Sequence, residues 1–205
     1  EWWISNSGGA AKFDKINTWV VYNMVNSGIA DMNIRTINIK DTNEIWFGTL
    51  NGLSKKVGNT WTTYNASNFP PSFEDVREIK KDTANNLWIG NEGDTTTAGI
   101  VKFDGINWTV YNSSNSSLLI NNIRIILIDP CNNIWCGSYY LHRFDGNNWT
   151  LFDTTNSPLP DSNIGILFED YQGNVWVGTA FNGIAVFKND CNILPSTNIN
   201  ESKSI

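Results

Sequence analysis

Between Ile123 and Asp153 the chain runs in short apolar or alternating stretches of four to six residues, broken by clusters of Pro, Gly, Asn and Asp. Stretches of this kind predict strands, and the clusters predict turns. Ile123 to Ile128 reads as one strand and Pro130-Cys131-Asn132-Asn133 as a turn. Ile134-Trp135-Cys136-Gly137 is a second strand, Leu141 to Phe144 a third, Asp145-Gly146-Asn147-Asn148 a hairpin turn, and Trp149 to Phe152 a fourth. A four-stranded antiparallel meander cannot bury both of its faces by itself, so copies of it must stack.

The same text recurs along the chain. Trp3, Trp46, Trp88, Trp135 and Trp176 are separated by 43, 42, 47 and 41 residues, a propeller-blade period. Twelve residues before the last four stand Ile34, Val76, Ile123 and Ile164, and two residues after them stand Gly48, Gly90, Gly137 and Gly178; Ser5 takes the glycine position in the first copy. A second series, Trp19, Trp61, Trp108 and Trp149, is followed three residues later by Tyr22, Tyr64, Tyr111 and Phe152. Nine of the ten Trp occupy repeat positions, which marks them as packing residues between radially arranged sheets.

With strands lettered A to D, the N-terminus supplies B, C and D: Trp2 to Ser5, Ala11 to Phe13 and Trp19 to Tyr22. Complete units begin at Ile34, Val76 and Ile123, and a last one begins at Ile164, its D strand doubtful because Cys191 to Leu194 lacks the second Trp. The predicted class is all-β: a β-propeller of four-stranded antiparallel blades, about four and a half repeats over residues 1–190, then a Ser/Asn-rich linker or tail over 191–205. Eighteen strands fit neither four nor five full blades, so the expectation is an arc, or further repeats before Glu1.

Composition narrows the partners. The 205 residues carry a net charge of -6, and no Lys/Arg-rich run exists to neutralise phosphates, which argues against nucleic acid. No apolar run reaches the roughly 18 residues of a membrane span, so membrane insertion is not expected; without a starting Met or signal peptide the sequence looks like a processed or truncated piece. Three cysteines are too few and too irregular for a zinc site. Cys136, inside an apolar strand, reads as a small buried hydrophobe. Cys131 and Cys191 fall in turns on one rim of adjacent units, where a disulfide and two separate thiols both fit.

The units NNLWIG, GIVKFDGINWTVYN and GNVWVGT, with the spacer NSPLPDSNI, resemble the two-component regulator propeller repeat over residues 1 to about 190. The resemblance implies a bacterial β-propeller, found either in periplasmic sensor halves of hybrid two-component systems or in secreted proteins. The DG-x-NW-T-x-YN variant is most similar to the secreted group, and Leu194 to Ile205 is similar to the lead-in to a type IX sorting domain. Asp82-Thr83-Ala84, Asp94-Thr95-Thr96 and Asp153-Thr154-Thr155 resemble bacterial O-glycosylation acceptors; turn Asp residues followed by Thr are the plainer reading.

Chemistry is sparse. The lone His142 sits in a C strand with no nucleophile or carboxylate arranged around it and reads as a solvated strand residue. No phosphate loop, calcium spacing or cofactor motif is present, so a non-enzymatic binding module without cofactor is expected. The D-to-A and B-to-C connections share one face, and variable loops on a rigid scaffold are where binding lives. They carry Asn91 to Ala98, Tyr139-Tyr140, Phe181-Asn182 and Phe69 to Phe73, suited to a glycan or another surface protein. Arg35, Arg77 and Arg124 each follow the first A-strand residue, with Gly165 in the fourth position; they are either a ring for a carboxylate or sulfate, or structural bridges between blades.

Overall fold

The structure is a computed structural model and describes residues 2–13, 16–41, 43–65, 67, 73–93, 98–188 and 191. These form eighteen strands in five antiparallel sheets. The first sheet is β1 (Trp2–Asn6), β2 (Gly9–Phe13) and β3 (Trp19–Tyr22). Three full blades follow: β4 (Ile34–Ile39), β5 (Glu44–Thr49), β6 (Gly52–Val57) and β7 (Thr60–Tyr64); β8 (Asp75–Lys81), β9 (Leu87–Glu92), β10 (Gly99–Phe103) and β11 (Trp108–Tyr111); β12 (Ile125–Ile128), β13 (Ile134–Gly137), β14 (Leu141–Phe144) and β15 (Trp149–Phe152). The last sheet is β16 (Ile164–Glu169), β17 (Val175–Thr179) and β18 (Ile184–Phe187). Every sheet pairs its strands in chain order, so each is a meander. A fourth strand for the last blade, the tail and the Asp94 motif lie outside the described residues, apart from Cys191.

Each blade packs on the next through a cluster of the same make. In the joint between the second and third blades, Trp46, Leu53 and Tyr64 of one blade meet Val76, Ile79, Leu87, Ile89, Val101, Phe103 and Trp108 of the other. Trp46 stacks with Tyr64 at 5.9 Å between ring centroids, and Trp88 with Tyr111 and Trp135 with Phe152 repeat that pair. The twelve-residue spacing from Ile/Val to Trp and the glycine two residues beyond the Trp are two halves of one contact between blades. A Cβ on Gly48 would lie 2.5 Å from Val76 of the next blade, and one on Gly90 would lie 2.7 Å from the Ile123 carbonyl. Only glycine leaves room for the neighbouring A strand to come that close.

The A-to-B turns carry a device whose residues are spaced Asp-x-x-x-Asn-x-Trp. Asp129 Oδ1 accepts from the Asn133 backbone N–H, and its Oδ2 accepts from Asn133 Nδ2 and from Trp135 Nε1 at 2.8 Å. Asp82 with Asn86 and Trp88, and Asp170 with Asn174 and Trp176, make the same set. In the second blade the turn has the same length, but Lys40 stands at the Asp position and Glu44 at the Asn position, and Glu44 accepts from Trp46 Nε1 instead. Each turn thus supplies the carboxylate that a packed indole N–H requires.

Candidate functional site

The arginine series lies where strand pairing is broken. The β4/β5 register shifts between Ile34 and Thr36 and the β8/β9 register between Val76 and Glu78, so Arg35 and Arg77 are bulge residues; Gly165 takes that place in β16. A bulge turns its extra residue out of the sheet's alternation. In the fourth blade the strand starts at Ile125, two residues later than the sequence predicts. Ile123 and Arg124 give their N–H groups to the Asn91 and Gly137 carbonyls instead of a regular ladder.

The guanidinium groups are not free. Arg35 Nε donates to Asp75 at 3.2 Å, Arg77 bridges Asp75 at 2.9 Å and Glu92 at 2.5 Å, and Arg124 Nε donates to Glu92 at 2.5 Å. Three arginines and two carboxylates alternate across three consecutive blades. The hydrogen bond that Arg124 donates to Glu92 pushes its guanidinium above its ordinary range, against the cost of partial desolvation. The bridging alternative for this series is therefore what the side chains do, and Asp75 and Glu92 are members of the site that the sequence did not single out. They are register partners on β8 and β9, and no repeat marks them.

Arg124 also lies over the Tyr139 ring, 5.5 Å from its centroid. Beside this pair opens a cleft of about 270 Å³ lined by Ser113, Leu119, Ile120, Asn121, Asn122 and Tyr139. Tyr139 is half exposed and Tyr140 is more covered. Phe181, 78% exposed, caps the B-to-C loop of the next blade, and no contact joins it to the arginine ladder among the described residues. Of the D-to-A connection Phe69 to Phe73, only Phe73 is described, and it is core.

Two expectations change. The D-to-A loops are less variable than their sequences suggest. Asn23, Asn112 and Asp153 each open the same turn, closed by Asn26, Asn115 and Asn156 and by the hydroxyls of Ser27, Ser116 and Ser157. Asp153 accepts from Thr155 backbone and hydroxyl, so in this glycosylation-like segment the Asp is a turn residue. His142, expected in solvent, is fully buried. Its Nε2 accepts the Leu119 N–H at 3.2 Å, the place that Ser54 fills for Ala30 in the second blade. Strand alternation gave a polar residue but not its side; the preceding blade covers that side.

No catalytic arrangement emerges from these groups. His142 and Cys136 are register partners, yet burial pushes the thiol up and lowers the imidazole to about 4, so both stay neutral. That is the reverse of an activated thiolate–imidazolium pair. Asp129, Cys131 and Cys191 cluster closely, but the two cysteines form a disulfide, with Cα atoms 5.4 Å apart, and the Asp129 oxygens serve Asn133 and Trp135.

A family model described as "Two component regulator propeller" matches residues 158–181, the spacer and first two strands of the last blade. The other blades repeat that text. The chain thus resembles the two-component regulator propeller repeat family. No curated protein sequence matches it. The extracellular domain assigned to a hybrid two component system of B. thetaiotaomicron is similar at 20% identity and TM-score 0.76, over 92% of this chain and 26% of that one. PorZ, a bacterial surface component of the type-IX secretion system of Porphyromonas gingivalis, matches at 18% and 0.65, over 92% and 30%. The virginiamycin B lyase of Staphylococcus aureus matches at 15% and 0.64, over 93% and 67%. These likenesses establish the propeller architecture, and the chain spans about a quarter of the length of the hybrid two component structures it resembles.

Proposed function

We propose that the chain is an exported, non-catalytic binding module that takes a glycan at the mouth of the propeller, on the face of the D-to-A and B-to-C loops. The observation carrying this reading is the Arg124–Tyr139 pair at the edge of the cleft formed by Ser113, Asn121 and Asn122. An aromatic platform beside amide, hydroxyl and guanidinium groups is suited to a sugar ring, whose faces are apolar and whose edges are hydroxyls. Because Asp75 and Glu92 offset the arginines, a neutral oligosaccharide is favoured over a strongly anionic one. The ladder then holds the rim of the site rigid. Export is supported by the Cys131–Cys191 disulfide, which persists in oxidising compartments.

A second reading, a periplasmic glycan-sensing propeller of a hybrid two-component receptor, is favoured by the extracellular domains to which the fold is similar. It uses the same binding face and differs in what the chain is attached to. An enzyme of the lyase kind is disfavoured by the buried, neutral His142.

Titration calorimetry against neutral and uronic-acid oligosaccharides tests the site. Tyr139→Ala is expected to weaken a neutral ligand at least about tenfold, equivalent to about 1.4 kcal/mol. Binding unchanged in that variant, or seen only with uronic acids and lost with Arg124→Ala, would overturn the neutral-glycan assignment.

A further inference from the structure

The spacer of residues 112–122 between the third and fourth blades borders two clefts. One is the cleft beside Tyr139. The other, of about 440 Å³, lies between this spacer and the C-to-D hairpin of the fourth blade, with Tyr111, Ser117, Phe144, Asn147, Asn148 and Trp149 in its walls. That volume is within the range of small-molecule sites. The two clefts share no lining residue.

One departure from the repeat keeps this groove open. In the spacer between the first and second blades, Gly28 holds the position of Ser117, and a Cβ on it would lie 2.4 Å from the Cβ of Trp61. Glycine lets that spacer close onto the indole. Ser117 carries a Cβ, so its spacer stands off Trp149, the counterpart of Trp61. The polar groups left in the gap are unspent. In the hairpin of the third blade, Asn107 Nδ2 donates to Asp104 at 3.1 Å, and the residue before it is the exposed Ile106. In the fourth blade the counterparts are Asn148 and Asn147, whose backbone N–H groups donate to Asp145. Neither side-chain amide makes a hydrogen bond among the described residues, and neither does the Ser117 hydroxyl. Trp149 Nε1 is buried and finds no acceptor, which is costly for an N–H group. The Trp149 ring packs on Phe144 at 4.8 Å and against Tyr111 at 5.7 Å between centroids. No charged side chain lines the groove.

We propose that this groove is a second sugar site, which takes one neutral pyranose unit against its Tyr111–Trp149 wall. The apolar face of the sugar suits the aromatic rings. Its hydroxyls, which donate and accept, match the amides of Asn147 and Asn148 and the hydroxyl of Ser117. A ligand oxygen supplies the acceptor that the Trp149 indole lacks, and the uncharged lining gives an acidic sugar no advantage. The inference does not rest on the loop-face reading, since no side chain is common to the two clefts.

Titration of the full chain with glucose, galactose, mannose and N-acetylglucosamine, followed by the indole N–H resonances, tests it; Trp149→Phe identifies the Trp149 signal. At least one of these sugars is expected to shift that signal saturably. Asn148→Ala is expected to weaken the midpoint about fivefold, as loss of one hydrogen bond does. Asn148 is exposed and its backbone is not left-handed, so the hairpin tolerates alanine, and unmoved signals from the other indoles verify the fold. Ser117→Leu fills the groove from the spacer side and is expected to abolish the shift. Tyr139→Ala is expected to leave the shift intact; loop-face binding that fails while this shift remains sinks the earlier proposal alone. No shift with any sugar of the panel would overturn the rim site, as would a shift insensitive to Asn148→Ala and Ser117→Leu, or one that disappears in Tyr139→Ala.

Discussion

His142 shows how a blade sets the charge of a single side chain. Its Nε2 accepts the Leu119 N–H, so the neutral ring carries its proton on Nδ1, which is buried without a partner. Burial lowers its pKa from 6.5 to about 4. Between those values the unfolded chain binds a proton that the folded chain does not, so stability is full above about pH 6.5 and falls as pH drops toward 4. By the usual conversion of about 1.4 kcal/mol per pH unit, this single group accounts for up to roughly 3 kcal/mol. Urea unfolding at pH 7 and pH 4.5 is expected to show that loss in the unmodified protein. His142→Ser keeps an acceptor of the Ser54 kind, and in it the part of the slope due to this residue should vanish, even though the smaller side chain lowers stability at both pH values. The residue was visible in the sequence as a polar letter in a strand. Its burial was not, because the wall that covers it comes from the preceding blade through the spacer containing Leu119.

Turns and bulges are where the elements exceed what their sequences announce. Strand positions were legible because period-two alternation, β-branched residues and repeated Trp all agree over five copies. Asn and Asp in the A-to-B connections were legible as turn formers, but the hydrogen bond that Asp82, Asp129 and Asp170 each accept from the Trp six residues on was not, since it joins a turn to the side chain of the following strand. That bond makes a graded prediction. Asp129→Ala strands the Nε1–H of the buried Trp135 and the amide of Asn133, and should cost about 3 kcal/mol. Asp170→Ala removes the same partners from Trp176, which is partly open to water, and should cost clearly less. Chemical denaturation of both variants compares them directly, and equal losses would mean that the bond matters for turn geometry and not for satisfying a buried indole. The arginine series was likewise legible by repetition, while Asp75 and Glu92 were hidden by the absence of any repeat in acidic residues. The bulges at Arg35 and Arg77 were hidden because a one-residue register shift leaves the hydrophobic pattern on either side intact.

At the scale of the molecule, a stack of blades transmits stability only through neighbours, so the ends are its weakest parts. The last blade has three described strands, and the Cys131–Cys191 disulfide, which spans 60 residues, cross-links the segment after β18 to the first turn of the preceding blade. Closing a loop of that length restricts the unfolded chain by about 4 kcal/mol in the chain-entropy account. The effect should be local, because the joints between the first four blades do not involve either cysteine. Reduction, or the Cys131→Ser/Cys191→Ser pair, is therefore expected to expose amides of β16 to β18 to hydrogen exchange well before those of β4 to β11. The midpoint of urea unfolding followed at Trp176 should fall further than that followed at Trp46. Uniform loss of protection across all five sheets would mean that the arc unfolds as one cooperative unit and that the disulfide stabilises it as a whole, whereas a loss confined to the last sheet would identify that blade as the segment which opens first.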